Sequence, residues 1–292
     1  MGVVEVRRFN RLVTQRVGAL QEDYLARGRP LGADRVLWEI GADGCDVRSL
    51  RARLDLDSGY LSRLLRSLER AGLVRVEPGA TDARVRMARL TAAGAAEWKV
   101  LDERSDELAA SILEPLSPAQ QERLVAAMDE VTRLLTASMV RVEVVDPRLP
   151  VAQYCLTEYF AELGRRFDDG FDRGRSISAD NDELTPPAGL LLVATLRSEP
   201  AGCGALKLHG PEPAEIKRMW VSPEARGLGL GRRLLTELEH AAAAHGAPAV
   251  RLETNRTLTE AIALYRTSGY QEVAPFNEEP YAHHWFQKPL TP

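Results

Sequence analysis

The sequence predicts an α+β chain of two domains, a mainly helical first half and an α/β second half, and three observations carry that prediction. Residues 34–90 hold short leucine-rich helical patterns, then two alternating segments that turn back on each other around Pro78 and Gly79. Residues 215–245, EIKRMWVSPEARGLGLGRRLLTELEHAAAAH, pass from a strand pattern through a glycine-rich turn directly into helical spacing. Between them, at RVEVVDPRLP (141–150), periodicity breaks and composition changes. A boundary between 139 and 147 follows, dividing the chain into 1–140 and 141–292.

At 292 residues the chain is long enough for two cores, with charged and apolar fractions of 27% and 45% that are ordinary for a globular protein. Cys45, Cys155 and Cys203 are odd in number and scattered. That spacing fits neither a disulfide framework nor a metal knuckle, so no metal is expected and a reducing cytoplasm is. The N-terminal MGVVEVRRFN carries charges where a signal peptide needs its apolar run, and AGLLLVATL at 188–196 is too short to cross a bilayer. No membrane association is expected.

Taken in order, Phe9, Val13, Val17, Leu20 and Tyr24 keep helical steps up to a Gly28–Pro30 breaker, predicting one long first helix. A second helix at about 34–40 ends at Gly41. Asp46 is placed to cap a third that buries Val47, Leu50 and Leu54, and Asp57 or Ser58 to cap a fourth. The fourth turns Leu61, Leu64, Leu65 and Leu68 inward and Ser62, Arg63, Arg66 and Arg70 outward, and Gly72 closes it. Val74 and Val76 alternate toward the Pro78–Gly79 turn and Val85 and Met87 on the way back, so a hairpin follows a helix-turn-helix directly, as in a winged helix. Two long amphipathic helices close the half, one with Trp98, Leu101, Leu108 and Ile112, the other with Leu124, Met128, Val131 and Leu135.

This half, from about residue 5 to 140, resembles the MarR-type repressors, whose wing carries an Asp-x-Arg pair, here Asp82 and Arg84, followed by Leu-Thr, here Leu90-Thr91. The resemblance implies a homodimer formed by the terminal helices and a fourth helix that enters the major groove of double-stranded DNA. Ser58, Tyr60, Ser62, Arg63, Arg66, Asp82 and Arg84 are then the candidate DNA contacts, with Arg84 at the flanking minor groove. Residues 1–140 balance at 21 basic and 21 acidic side chains, but 46–90 holds ten Arg against six Asp plus Glu. Counterion release follows the local patch. A wing and helix that only dimerise are the alternative.

In the second half a helix carries Leu156, Phe160, Leu163 and Phe167 on one face, and DDGFDRGRSISADNDELTPPA (168–188) is an acidic loop rich in breakers that would suit a cationic acceptor or be merely solvated. Strands GLLLVATL and CGALKL precede the central unit. In that unit Ile216 and Trp220 alternate with Lys217 and Met219, and Leu230, Leu234, Leu238, Ala241 and Ala242 recur along the helix. Gly227, Gly229 and Gly231 precede unpaired N–H groups at the positive end of a helix dipole, which makes an anion site. A P-loop is excluded because Arg232 and Arg233 stand where Lys and Ser or Thr are needed, and no third glycine completes a dinucleotide fingerprint. Beyond it, Asn255 ends the strand AVRLETN, Thr257 and Glu260 are spaced as a capping box, and Ala261, Ile262 and Tyr265 share a helix; YAHHWFQKPL is the last strand.

RGLGLG resembles the (Gln/Arg)xxGx(Gly/Ala) loop of the GNAT N-acetyltransferases, and Asn255, Tyr265 and the following GY resemble that family's second block; together they span about 142–290. The resemblance implies a mixed, mostly antiparallel sheet and acetyl-CoA as co-substrate. Its site would comprise Met219, Trp220, Val221, Arg226, Gly227, Leu228, Gly229, Leu230, Gly231, Arg232, Asn255 and Tyr265, with Tyr265 protonating the departing thiolate and an amine as acceptor. Glu215 is the candidate base, with His283 or His284 behind it. Cys203 has no histidine partner for covalent work. A two-headed regulator and N-acetyltransferase is the leading expectation; the alternative is a regulator whose second domain senses acetyl-CoA or another ligand without turnover.

Overall fold

The computed structural model describes residues 2–20, 24–80, 82–168, 170–177 and 179–290. The chain folds as two compact units, Met1–Asp129 and Glu130–Pro292.

In the first unit helix α1 spans Val3–Arg16 and buries none of its residues. It stops well short of Tyr24, against expectation: Val17 ends it and Gly18 takes φ +69, a conformation that breaks the helical ladder although the apolar spacing continues. Helix α2 (Leu31–Ile40) follows, then strand β1 (Cys45–Asp46), α3 (Val47–Leu54) and α4 (Ser58–Arg70). Asp46 caps α3 by accepting from the N–H groups of Arg48 and Ser49 at 3.2 and 3.0 Å, and Asp57 caps α4 through Tyr60 N–H at 2.8 Å. Strands β2 (Val74–Pro78) and β3 (Arg86–Leu90) form the expected hairpin, and β1, which periodicity gave no sign of, adds a third strand through Cys45↔Ala88. The core gathers Val36, Leu37, Ile40, Leu50, Leu61, Leu65, Leu68 and Ala88. Thr91 caps α5 (Ala92–Leu113), and Pro118 opens α6 (Pro118–Ser138), which crosses the division between the units.

The second unit is a seven-stranded sheet. Its elements are β4 (Arg141–Val144), α7 (Pro150–Arg166), β5 (Gly189–Leu196), β6 (Glu199–Lys207), β7 (Ala214–Val221), α8 (Leu230–Ala244), β8 (Ala249–Thr254), α9 (Thr259–Thr267), β9 (Gln271–Val273) and β10 (His284–Pro289). The strand order is β4-β5-β6-β7-β8-β10-β9, antiparallel throughout except between β7 and β8. The sheet is therefore mixed and mostly antiparallel. Helix α7 packs its Ala152, Cys155 and Leu156 on one face, and α8 and α9 pack Leu234, Leu235, Leu238 and Ile262 on the other.

Two irregularities in β7 shape the site. Its parallel pairing with β8 is confined to Ala214↔Val250 and Glu215↔Arg251, after which the strands part. Arg218 has φ +56, and the register against β6 shifts between Cys203 and Ala205, so β7 is bulged there. Gly204 faces the bulge, where a Cβ would lie 2.7 Å from Met219 Sδ and 2.9 Å from Leu238 Cδ1. The bulge overturns the simple alternation read from the sequence: Ile216 joins the α8 side of the sheet and Trp220 the α7 side.

Candidate active site and nucleic-acid interface

Where β7 and β8 part, a groove opens. One section, open to solvent and spanning about 810 Å³, is lined by Glu162 and Arg166 of α7, Trp220 and Val221 of β7, Gly231 of α8, and Glu260 and Leu264 at α9. The other, about 690 Å³, is lined by Phe167, Phe171, Lys217, Arg218, Glu253, Asn255, Glu279 and Tyr281. Tyr159, Leu163, Met219, Leu258, Ala261 and Tyr265 belong to both, so the sections join and the tyrosine pair stands at the junction.

The glycine-rich turn lies at the first section. Gly227 and Gly229 take φ +81 and +74, and a Cβ on either would meet no atom within 4 Å. At Gly231 a Cβ would come 3.2 Å from Leu264 Cδ2, so the turn is held close against α9. Leu230, Gly231 and Arg232 begin α8, whose first N–H groups have no carbonyl one turn back to accept them. A backbone surface bare of side chains, at the positive end of a helix, fits a pyrophosphate. Leu228 packs against the core below. The two flanking arginines are held by protein: Arg226 Nη2 donates to both oxygens of Glu162 at 2.8 and 2.7 Å, and Arg232 Nη2 donates to Thr267 Oγ1 at 3.0 Å. Trp220 donates its indole N–H to Glu162 at 3.1 Å.

At the junction Tyr265 is buried, its ring 5.9 Å from that of Tyr270 and 5.8 Å from that of Phe286. Burial raises its pKa, with Tyr159 and Glu253 adding to the effect, so its phenol stays protonated at neutral pH. Tyr159 is likewise pushed up by burial, against the pull of the neighbouring Arg218 guanidinium. Asn255 lines the groove, but its Oδ1 accepts from Thr257 N–H and Oγ1, both at 3.0 Å, and its Nδ2 donates to Tyr281 O at 2.8 Å. Thr257 thereby serves the Asn255 turn, and Glu260 pairs with Arg166 at 2.7 Å. The expected capping box does not form; Leu258 stands at the N-cap without a side-chain bond.

Glu215 does not reach this groove. It is buried in the short paired part of β7, where Arg251 donates to it at 2.8 Å, with Lys217 and His209 each 3.6 Å away. Burial works against its ionisation, but Lys217 and Arg251 outweigh burial and hold the carboxyl below the usual range. The carboxylates that line the second section are Glu253 and Glu279, whereas Glu162 and Glu260 of the first are paired with arginines. Glu253 is bonded by Lys217 Nζ and by Asn277 Nδ2 at 3.3 Å. It sits two residues before Asn255 on the same side of an alternating strand, a signal legible in AVRLETN. Tyr159 and Arg218 carried no such signal. His283 is exposed, His284 is bonded to Glu272 at 2.6 Å, and neither lines the groove. Among the described residues no group of His, Cys, Asp and Glu is arranged to hold a metal, and no helix is long and apolar enough to cross a membrane.

In the first unit the outer face of α4 presents Ser58, Tyr60, Arg63 and Arg66 to solvent, with Ser62 half-buried. The Arg63 guanidinium lies 5.7 Å from the Tyr60 ring centre, and Arg66 Nε donates to Ser62 O at 3.1 Å. At the hairpin tip Asp82 Oδ1 accepts from Arg84 N–H at 2.9 Å, and Asp82 O accepts from Val85 N–H at 3.0 Å. Asp82 thus builds the turn that carries the exposed Arg84.

Residues 156–270 match the family model described as the acetyltransferase (GNAT) family, and residues 34–85 match that of the MarR family. The chain is 36% identical over 125 residues to the IAA acetyltransferase of Azospirillum brasilense, covering 42% of this chain and 82% of that protein. It is 37% identical over 97 residues to an uncharacterized N-acetyltransferase of Schizosaccharomyces pombe, covering 32% and 60%. Among solved structures, an acetyltransferase of the GNAT family from Staphylococcus aureus aligns with 52% of this chain and 100% of its own at 16% identity and a TM-score of 0.44. A MarR variant from Escherichia coli aligns with 43% and 94% at 22% identity and a TM-score of 0.39.

Proposed function

Because this chain belongs to the acetyltransferase (GNAT) family and carries a MarR-like region ahead of that domain, we propose that it joins two activities: residues 141–292 move an acetyl group from acetyl-CoA to an amine, and residues 1–140 bind double-stranded DNA as a homodimer. One observation carries the enzymatic half: the groove runs unbroken from the bare glycine turn, through the parting of β7 and β8, to a buried, protonated tyrosine.

Acetyl-CoA supplies the thioester, and the residues fit it. The backbone at 227–231 receives the pyrophosphate, with Arg226 and Arg232 at its rim. The backbone of Met219, Trp220 and Val221, left without β8 as a partner, lies along the remaining arm and offers N–H groups where charge develops on the carbonyl oxygen. Tyr265 gives its proton to the departing sulfur. The duty of accepting the amine's proton passes from Glu215, which is held in its ion pair away from the groove, to Glu253, directly or through a water. A tyrosine kept protonated at the junction favours turnover over sensing.

For the first half, the exposed arginines of α4 and Arg84 at the hairpin tip support a helix in the major groove and a wing at the minor groove. Exposed Val3, Val6, Phe9 and Leu12 on α1 and Leu134 and Leu135 on α6 support dimerisation through terminal helices. Turnover of acetyl-CoA against a panel of amines, amino acids and peptides tests the enzyme, and a genomic binding selection at moderate salt tests the regulator. Coenzyme binding without any acceptor would leave a sensor.

A further inference from the structure

Among the described residues, one buried cation of the groove's second section, Arg218, has no carboxylate partner. Glu253 is met by Lys217 and Asn277, and Glu279 accepts from Ser176 Oγ at 2.9 Å and from the N–H groups of Ile177 and Tyr281 at 2.7 and 3.3 Å. Lys217 stands between Glu253 and Glu215. Arg218 is 7% exposed, lies 5.6 Å from the Tyr159 ring centre and 4.6 Å from that of Phe160, and forms no ion pair among the described residues. Its left-handed backbone at the bulge turns it into the groove.

The loop over this section reverses what its composition suggests. Three of its acids are engaged elsewhere: Asp168 pairs with Arg256 at 3.1 Å, Asp172 Oδ1 accepts from Gly174 N–H at 2.9 Å, and Asp182 pairs with Arg148. Two of its arginines lie over aromatic rings, Arg175 at 5.8 Å from the centre of Tyr281, which lines the groove, and Arg173 at 4.7 Å from that of Phe160, which stacks on the groove residue Phe171. Neither has an ion pair among the described residues. A guanidinium taken out of water without a counter-charge is costly, and its planar fork matches a carboxylate.

We infer that the acceptor is an amino acid bearing an apolar or aromatic side chain, with Arg218 holding its carboxylate and Phe167, Phe171 and Tyr281 flanking the side chain. This rests on the acetyl-transfer reading. The amine nitrogen bonds to the acetyl carbon as the carbon–sulfur bond breaks; of the two protons the ammonium loses, one leaves through Glu253 to solvent and the other replaces the proton that Tyr265 gives to the sulfur, so that the thiol and an N-acetyl amino acid leave.

The test compares phenylalanine with phenethylamine, which differ by the carboxylate, using the full chain and acetyl-CoA. The expected ratio of kcat/KM is at least about 10²-fold in favour of the acid, the worth of a charge-assisted bidentate contact. In Arg218→Gln that ratio falls toward one through KM, Arg218→Lys restores part of it, and calorimetric affinity for coenzyme A stays at the parental value, which also certifies the fold. Equal use of both amines by the parent, or an Arg218→Gln variant with the parental ratio, overturns the inference. Acceptance only of amines without a carboxylate overturns it while leaving acetyl transfer intact, whereas a parent that binds no coenzyme A overturns the reading beneath it.

Discussion

Gly229→Glu isolates the anion site from the fold. Gly229 has φ +74 immediately before α8, and an added Cβ meets nothing within 4 Å. A side chain in that conformation costs about 1–2 kcal/mol, while a carboxylate beside a helix N-terminus returns about 0.3–1 kcal/mol. The free protein should therefore melt only a few degrees lower. A bound pyrophosphate meets the new charge directly: two unit charges about 5 Å apart at an effective dielectric near 20 repel by about 3 kcal/mol, or roughly 10²-fold in affinity. Titration calorimetry with coenzyme A should show that loss, and Gly229→Ala, which carries the strain without the charge, should lose much less. A Gly229→Glu protein that binds like the parent, or an alanine variant that loses as much, refutes the assignment of the turn.

Tyr265→Phe keeps the ring packed against Tyr270 and Phe286 and removes only the proton donor, so kcat should fall by about 10²–10⁴-fold with coenzyme affinity little changed; steady-state rates as fast as the parent's would return Tyr265 to a packing role. Arg84→Ala should weaken operator binding at every sequence and Arg63→Ala should relax base preference, both read by fluorescence anisotropy across a salt series. In the first unit the Arg27 hydrogen bond, joined by Arg29 and opposed by burial, holds Glu97 down to about 2. A depressed carboxyl stabilises above its ordinary pKa, near 4.5, and loses that contribution as pH falls toward 2. The shift corresponds to at most about 3 kcal/mol, and to about 1–2 kcal/mol after screening, because Arg27 is 30% exposed. Urea melts should show the parent losing more stability than Glu97→Gln between pH 4.5 and pH 2; parallel losses would discard the ion pair as the cause.

Local chemistry made most of both folds legible. Caps at Asp46, Asp57 and Thr91 and the leucine spacing of α4 depend on neighbours three or four residues away, and those survive folding intact. The failures came from contacts that sequence spacing does not encode. Val17, Leu20 and Tyr24 continue the apolar step of α1, yet the backbone turns at Gly18. Strict alternation puts Ile216 and Trp220 on one face, but one extra residue at Arg218 sends them to opposite faces. Spacing also does not show that Glu215, the candidate base, lies where β7 and β8 are still paired while the groove opens only beyond it. Nor does the acidic composition of 168–188 say where its charges go: Asp168 and Asp182 pair with Arg256 and Arg148.

The brevity of the β7–β8 seam has a thermodynamic consequence. Strands β4 to β7 form one block and β8, β10 and β9 another, joined along the sheet by only two registered pairs, with α8 packed against both. A molecule that runs from the first section into the second meets Met219 of β7 and, beyond the junction, Glu253 and Thr254 of β8, and so spans both blocks. At a hundred times its Kd it adds about 2.7 kcal/mol to any opening that separates them and nothing to fraying confined to one. Amide exchange should therefore slow on coenzyme binding in β8 and β10, far from any phosphate contact, more than along the β5–β6 ladder, which is continuous already.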